Sequence, residues 1–204
     1  MTSKYNIILG SGSPRRKQIL SSLGLSFNIQ IPNIDESSDL STPEQICEDI
    51  SFKKFKDIQR IVNDEKAIII TGDTIVCYDN KVFGKPKNRE EAYSTLELLS
   101  GKEHFVISSL CIGFNSENTY KISSEITKVR FLELDKVMIN HYLDQNSYKD
   151  KAGSYAIQDP NCFFVSSIDG SLSNVIGLPI ELFKSVITEL FEIKYENPNW
   201  KNYV

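Results

Sequence analysis

The chain has 204 residues, of which 40% are hydrophobic and 25% are charged, an ordinary composition for a soluble globular protein. This length supports one large domain, or two lobes that share a core. The formal net charge of -4 argues against a general nucleic-acid-binding protein, whose surface would be strongly basic. No apolar run is long enough to cross a membrane, and the first strand pattern begins too early to leave room for a signal peptide. We therefore expect a cytoplasmic protein without a nucleic-acid or membrane partner.

The use of histidine and cysteine restricts the chemistry further. Neither of the two histidines, His104 and His141, lies in a motif, which disfavours a histidine-based metal centre or catalytic triad. The four cysteines are widely separated, form no CxxC pair, and lie mostly in apolar runs, which is typical of reduced, buried thiols in a cytosolic protein. They are Cys47, Cys77, Cys111 and Cys162.

The first predicted elements place cations at the start of a helix. Residues 5–9 have the pattern of a buried strand, and the small residues 10–12 follow as a turn. Ser13 can cap a helix whose first residue is Pro14. Residues 15–17 are Arg, Arg and Lys, although the helix dipole favours acidic side chains in the first turn. A bound polyphosphate would resolve this conflict, since free backbone N–H groups and guanidinium groups would converge on its oxygens. The alternative is a solvated basic helix start.

The rest of the chain predicts a series of strands and helices. Capping residues, apolar periodicity and turn residues define each of them. In chain order they are a strand at 27–31, a polar loop at 32–41, a helix at 42–60, a strand at 67–71 that is interrupted at 72–74 and resumes at 75–78, a hairpin strand at 81–83, a helix from 88 to 99, long strands within 105–114 and 120–134, a helix at 135–143, strands at 155–158 and 163–168, a hairpin closed by 173–177, and a terminal helix from Pro179.

No internal repeat, low-complexity tract or flexible linker interrupts this series, so both halves are expected to share one sheet. We predict an α/β fold for a single domain spanning residues 1–204. It has a mixed, elongated sheet with long antiparallel hairpins and flanking helices, arranged as two lobes around a cleft. The tail at 197–204 is predicted to be loosely held, with Trp200 as the residue that could pack against the body.

Four charged side chains near predicted strand ends could serve phosphate chemistry. Asp73 interrupts a strand too apolar to be exposed, and a carboxylate there is costly to bury unless it is paired, binds a metal or faces a polar cleft. Glu36 lies in the loop after the second strand, Lys54 on the following helix, and Lys85 after the hairpin. Each alone has a plainer explanation, as a turn-forming or surface residue. Together they supply the acidic and basic groups of metal-bound phosphate chemistry at strand-end loops, which commonly share a crevice.

The glycine motifs of two common nucleotide-binding classes are absent. The sequence contains no Gly-x-x-x-x-Gly-Lys-Ser/Thr, so P-loop hydrolysis of a terminal phosphate is disfavoured. The GSG at 10–12 lacks the third glycine of a dinucleotide fingerprint. Any phosphate chemistry therefore uses another motif.

Seven short motifs resemble those of the Maf family of nucleoside triphosphate pyrophosphatases. They occur in the family's order and at nearly its spacing, and together they cover most of the chain, so the set is far more specific than any one motif. The motifs are GSGSPRR at 10–16, IDE at 34–36, GDT at 72–74, GKP at 84–86, LSGK at 99–102, KAGSYAIQ at 151–158 and SNVIGLP at 173–179.

The resemblance implies a deep cleft between two lobes, often a homodimer, and hydrolysis of a nucleoside triphosphate to the monophosphate and pyrophosphate. It also implies a divalent cation, Mg²⁺ or alternatively Mn²⁺ or Co²⁺. By position, Asp73 matches the general base, and the residues alone leave open whether it takes a proton from water or binds the metal with Glu36. The match of Lys54 needs a one-residue gap, which makes the adjacent Lys53 an alternative. The positions that match substrate or metal contacts are Ser11, Arg15, Arg16, Glu36, Lys54 and Lys85.

Arg15, Thr74 and Gln158 match positions associated with base preference. A branch resembling 7-methyl-GTP pyrophosphatases has Trp, Gln and Glu there, so this chain follows the branch that prefers dTTP and UTP. A neutral amide at Gln158 can pair with both the carbonyl acceptor and the imide N–H donor of a uracil-type base. The sequence departs from the family's pattern at Gly72, where Ala is usual, and at 159–162, beside the predicted base pocket.

Two alternatives stay open at this point. A nucleotide-binding regulator of cell division would use the same pocket with little hydrolysis. The intact pair of Glu36 and Asp73 argues against it, because a pure binder gains little from carboxylates near phosphates. The other alternative keeps the chemistry but acts on modified or purine nucleotides such as 7-methyl-GTP.

Overall fold

A computed structural model describes residues 5–195, 199–202 and 204 of the chain. Within these residues a seven-stranded mixed sheet is flanked by helices, which confirms the predicted α/β class. The strands are β1 (Asn6–Gly10), β2 (Phe27–Ile29), β3 (Ala67–Tyr78), β4 (Lys81–Phe83), β5 (Glu103–Phe114), β6 (Tyr120–Phe131) and β7 (Val165–Asp169). The helices are α1 (Pro14–Ser22), α2 (Pro43–Ile61), α3 (Arg89–Leu99), α4 (Lys136–Asp144), α5 (Leu172–Ile176) and α6 (Ile180–Tyr195), with 3₁₀ turns at Ala152–Ser154 and Trp200–Asn202.

The sheet has the order β2-β1-β3-β5-β6-β7, with β4 also paired to β3. β1 lies parallel to β2 and β3, whereas the pairs from β3 through β5 and β6 to β7 are antiparallel. β3 joins these two parts, because β1 pairs in parallel with its residues 67–71 and β5 pairs antiparallel with its residues 68–77. One sheet therefore runs through both halves of the molecule.

Helices cover this sheet in two lobes, each with its own apolar cluster. In the first lobe, α1 and α6 pack against the face that carries Ile68 and Ile70, and α2 packs against the opposite face, which carries Ile69. In the second lobe, α3 and α4 pack around Val129 and Phe131 of β6. The site described below lies where these lobes meet.

Local signals in the sequence set several element boundaries as predicted. The side chains of Ser13, Thr42 and Asn88 accept hydrogen bonds from the first turns of α1, α2 and α3. Asp79 and Asn80 have φ angles of 50° and 57°, the left-handed conformation of a tight hairpin turn between β3 and β4. β2 is shorter than predicted and ends at Ile29.

Three predicted elements are wrong. β3 is not interrupted at 72–74, because these residues continue to pair with residues 108–110 of β5. The polar side chains of Asp73 and Thr74 project from opposite faces of the sheet. Residues 155–158 do not form a strand but lead into a turn, and their apolar character reflects burial: Tyr155 and Ala156 are buried, and the Ala156 N–H donates to the Tyr142 hydroxyl. Residues 173–177 do not close a hairpin, since Ser171 caps the short helix α5 and Gly177, at a φ of 121°, ends it.

The C-terminal region lies partly outside the described residues. Positions 197, 198 and 203 of the tail predicted to be loosely held are among those not described. Trp200 is 7% exposed, and its ring lies 6.0 Å from that of Phe183 on α6. All four cysteines are buried free thiols. No helix in the described part of the chain combines the length and apolar character needed to cross a membrane.

Candidate active site

A cleft of about 460 Å³ lies between the two lobes. Its walls come from the turn after β1, the start of α1, the loop after β2, the middle of β3 and the segments around 150–158 and 175–177. The structure brings together every site residue predicted from the sequence: Ser11, Arg15, Arg16, Glu36, Lys54, Asp73, Thr74, Lys85 and Gln158.

The charge of this cleft differs in sign from that of the whole chain. Five cationic and three acidic side chains line it, although the chain has a net charge of -4. Such a local excess of positive charge suits an anionic ligand. The cations are Arg15, Arg16, Lys54, Lys85 and Lys151, and the acids are Glu36, Asp73 and Asp150.

Arg16 is the more buried of the two arginines that line the cleft, with 8% of its surface exposed. Its guanidinium donates from Nε to the Gly177 carbonyl (2.9 Å), from Nη1 to Ser11 Oγ (3.2 Å) and from Nη2 to Thr74 Oγ1 (3.0 Å). All three acceptors are neutral. Burial lowers the pKa of Arg16, and the charge of Asp73 opposes this shift. The guanidinium is therefore held in place without a directly paired carboxylate, which leaves its charge available to an anion.

Two further cations, Arg15 and Lys151, line the cleft near Arg16. Arg15 is half-buried and donates to the backbone carbonyl of Asp150 at 3.1 Å. Burial lowers the pKa of Arg15, and the charge of Arg16 lowers it further. Burial also lowers the pKa of Lys151, with a contribution from Arg15. The sequence analysis did not select Asp150 or Lys151 as site residues. The available signal for Lys151 was its place at the start of the KAGSYAIQ motif.

The opposite wall carries the acidic groups. Lys54 is 6% exposed, and its Nζ lies 2.7 Å from Asp73 Oδ1 and 2.7 Å from Glu36 Oε1. Lys85 Nζ lies 3.2 Å from Glu36 Oε2. Lys53 instead contacts the Ser37 carbonyl and Asp49 outside the cleft, so the structure favours Lys54 over its neighbour.

Glu36 is ionised at neutral pH. Burial by itself would raise its pKa, but hydrogen bonds and charges from Lys54 and Lys85 outweigh this effect and hold the pKa below its ordinary value. Asp73 accepts from Lys54 through Oδ1, and no described residue hydrogen-bonds to its other oxygen, Oδ2. Two carboxylates thus face the cleft around one ammonium group.

This donor set fits a magnesium-like cation that a substrate helps to hold. Mg²⁺ is usually bound by one or two carboxylates together with water and substrate phosphates. Glu36 and Asp73 supply two such carboxylates. No group of three or more His, Cys, Asp or Glu side chains that could hold a metal occurs among the described residues. A cation would therefore depend on ligands from phosphate oxygens.

The remaining walls suit a flat, partly polar group. Val76, Val106 and Ile176 supply apolar surface, and Gln158 is exposed at the rim. Thr74 accepts from Arg16 and is hydrogen-bonded to Ser108. The cleft thus combines charged walls for phosphates with an apolar surface on which a nucleobase can pack.

Comparison with known proteins agrees with this geometry. Residues 6–190 match the family model described as "Maf-like protein". The chain is 41% identical over 189 residues to the dTTP/UTP pyrophosphatase of Ruminiclostridium cellulolyticum (92% of this chain, 97% of that protein) and 35% identical over 195 residues to that of Thermotoga maritima (96% and 91%). Among solved structures it is similar to the Staphylococcus aureus Ham1 protein, with a TM-score of 0.45 and 11% identity over 63% of this chain and 72% of that one. From the family match over most of its length and these relatives, the chain belongs to the Maf-like protein family.

Proposed function

We propose that this protein is a nucleoside triphosphate pyrophosphatase that hydrolyses dTTP or UTP to the monophosphate and pyrophosphate. The observation that carries the proposal is the cleft itself, where Arg15, Arg16 and Lys151 lie on one side and the carboxylates of Glu36 and Asp73, paired with Lys54 and Lys85, lie on the other. The names of the relatives, dTTP/UTP pyrophosphatases at 35% to 41% identity, support the same substrate class.

The cationic side of the cleft binds the triphosphate. Arg15, Arg16 and Lys151 lie around the N-terminus of α1, where backbone N–H groups and the helix dipole also favour an anion. The guanidinium groups can hold phosphate oxygens in pairs. This side therefore positions the substrate with its α-phosphorus towards the acidic groups.

The acidic side carries out the hydrolysis. Water attacks the α-phosphorus, the bond from that phosphorus to the bridging oxygen breaks, and pyrophosphate leaves with the bond's electron pair. Asp73 Oδ2 accepts the proton of the attacking water, while the hydrogen bond from Lys54 to Oδ1 orients the carboxylate. Glu36 and Asp73 are the residues that would hold a divalent cation such as Mg²⁺, with Asp73 as a metal ligand in the alternative in which it does not take the proton. When bound, that cation supplies neutralisation of the charge on the phosphate oxygens.

Base selection is assigned to Gln158 together with Arg15 and Thr74, all of which line the cleft. Gln158 at the rim offers both a donor and an acceptor, which match the imide N–H and the carbonyl of a uracil-type base. Arg15 and Thr74 are the other two residues of this specificity set.

The test is turnover of a nucleotide panel, comprising dTTP, UTP, CTP, GTP and 7-methyl-GTP, each with Mg²⁺ and with a chelator. Products are resolved by ion-exchange chromatography. We expect monophosphate and pyrophosphate in equal amounts, fastest from dTTP or UTP, and no reaction with the chelator. Release of orthophosphate alone would contradict cleavage at the α-phosphorus. No release from any nucleotide would favour a binding regulator, and a preference for 7-methyl-GTP would overturn the assigned base.

A further inference from the structure

A chain of hydrogen bonds runs from the cleft into the protein interior. Arg16 Nη2 lies 3.0 Å from Thr74 Oγ1, which lies 2.9 Å from Ser108 Oγ, which in turn lies 2.9 Å from the backbone carbonyl of Asn174. Thr74 of β3 and Ser108 of β5 face each other directly in the sheet register. Ser108 and Asn174 are both fully buried.

The two ends of this chain fix its direction. A guanidinium group can only donate, and a backbone carbonyl can only accept. The single hydrogen of the Ser108 hydroxyl is given to the Asn174 carbonyl, so at Thr74 the Ser108 oxygen is the acceptor. The reverse direction would place two lone pairs against each other across 2.9 Å. The hydrogen of Thr74 therefore points inwards, to Ser108.

The carbonyl that ends the chain is itself held firmly. The side-chain amide of Asn174 donates to the Val106 carbonyl at 3.0 Å and to Thr127 Oγ1 at 2.9 Å. Gly177, just beyond the end of the same short helix α5, accepts from Arg16 Nε at 2.9 Å. Arg16 is thus tied to this helix region twice, once directly and once through the two hydroxyls.

We infer that Ser108 is a positioning residue that makes Thr74 an obligate hydrogen-bond acceptor for the ligand. A hydroxyl oxygen has two lone pairs. One on Thr74 receives the Arg16 N–H, and the other is left for the cleft, whose wall Thr74 lines. This inference rests on the proposed function for its ligand: a uracil or thymine ring presents an imide N–H donor, whereas the corresponding ring nitrogen of cytosine is an acceptor. Ser108 therefore favours UTP over CTP without touching either.

The test is Ser108→Ala, which removes the acceptor and frees the Thr74 hydroxyl to turn towards the ligand. Affinities for UTP and CTP are measured by isothermal titration calorimetry without a divalent cation, and kcat/KM for both is measured with Mg²⁺. We expect the preference for UTP over CTP to fall about three- to tenfold, the range of one neutral hydrogen bond. Ser108→Cys, which leaves no cavity and weakens both hydrogen bonds at the cost of a somewhat larger side chain, should shift the preference in the same direction and serves if the alanine variant does not fold.

Two comparisons separate this role from a merely structural one. Ser109 is the adjacent serine, equally buried, and donates to the Cys47 carbonyl at 2.6 Å on the other face of the sheet. Ser109→Ala should leave the UTP preference unchanged even if it lowers the unfolding temperature. In a Thr74→Val background, Ser108→Ala should cause no further change in preference, because its effect passes through the lost hydroxyl.

The outcomes distinguish the inference from the function on which it rests. Pyrophosphate release with an unchanged UTP preference in Ser108→Ala would overturn the inference alone. So would a wild-type protein that binds UTP and CTP equally. Selective binding that responds to Ser108→Ala, without pyrophosphate release, would contradict the proposed function and support the inference.

Discussion

The two walls of the cleft hold their charges in opposite ways. On the cationic wall, formed by Arg15, Arg16 and Lys151, the most buried charge is tied to neutral oxygens, two of them hydroxyls and one a backbone carbonyl. On the acidic wall, formed by Glu36, Lys54, Asp73 and Lys85, the charges are tied to each other. An incoming phosphate leaves the first set of contacts intact, whereas an incoming cation competes with the ion pairs of the second. The comparison supports the proposed division, in which one wall binds the phosphates and the other carries out the hydrolysis.

The largest expected effect comes from Asp73→Asn on the acidic wall. The amide keeps the size of the side chain and an acceptor for Lys54 but cannot take a proton from water. We expect kcat to fall by about 10²–10⁴, the usual loss for a general base. KM should change much less, because the cationic wall is untouched. Thermal unfolding checks that the variant is folded, and turnover within a few-fold of wild type would remove Asp73 from the mechanism.

A smaller effect, on KM instead of kcat, is expected from Arg16→Lys on the cationic wall. A lysine keeps the positive charge but cannot reach Gly177, Ser11 and Thr74 with one planar group. Losing one charged hydrogen bond should reduce kcat/KM by about ten- to a hundredfold, mainly through KM. Lys17→Ala, at an exposed position on the same turn, is the control and should leave KM unaltered. A loss confined to kcat would contradict the division between the walls.

The smallest effect is expected from Lys85→Ala, which removes the most exposed member of the acidic wall. Because Lys85 helps to hold the pKa of Glu36 below its ordinary value, the pKa should rise in the variant. The folded pKa lies below the unfolded one, so this pairing stabilises the protein above the ordinary carboxyl pKa and is lost as the pH falls through the folded value. With 57% of the Lys85 side chain exposed, the loss at neutral pH should stay below about 1 kcal/mol.

An NMR titration of the Glu36 carboxyl measures this shift directly, and thermal unfolding at several pH values measures its contribution to stability. Lys87→Ala provides the matched control, since Lys87 is exposed two positions further along the chain. An unchanged Glu36 titration in Lys85→Ala would show that Lys54 alone sets the charge on this wall.

The elements that could be predicted from the sequence are those whose signals are local. The caps at Ser13, Thr42 and Asn88 lie next to the helices that they begin, and the turn at Asp79 and Asn80 joins adjacent strands. The cationic start of α1 likewise indicated an anion site through the conflict with the helix dipole. The site residues were predicted from short motifs, each of which can be recognised within a few consecutive residues.

The features that could not be predicted depend on contacts between distant segments. Asp73 suggested a break in β3, yet the backbone ladder continues because pairing with β5 does not require apolar side chains. Tyr155 is an aromatic residue of the kind that strands favour. It is instead buried outside the sheet and hydrogen-bonded to His104. Two of the three neutral acceptors of Arg16, Thr74 and the Gly177 carbonyl, lie 58 and 161 residues away along the chain, and no pattern around residue 16 identifies them.

The bond from Arg16 to the Gly177 carbonyl has a consequence for how the protein is made. It joins positions 161 residues apart, so a growing polypeptide has Arg16 long before it has the carbonyl that orients this arginine. During synthesis on the ribosome, the wall around Arg16 is therefore completed only after residue 177 has emerged. A chain that ends before α5 contains the sequence of all seven described strands but lacks the carbonyl that orients Arg16.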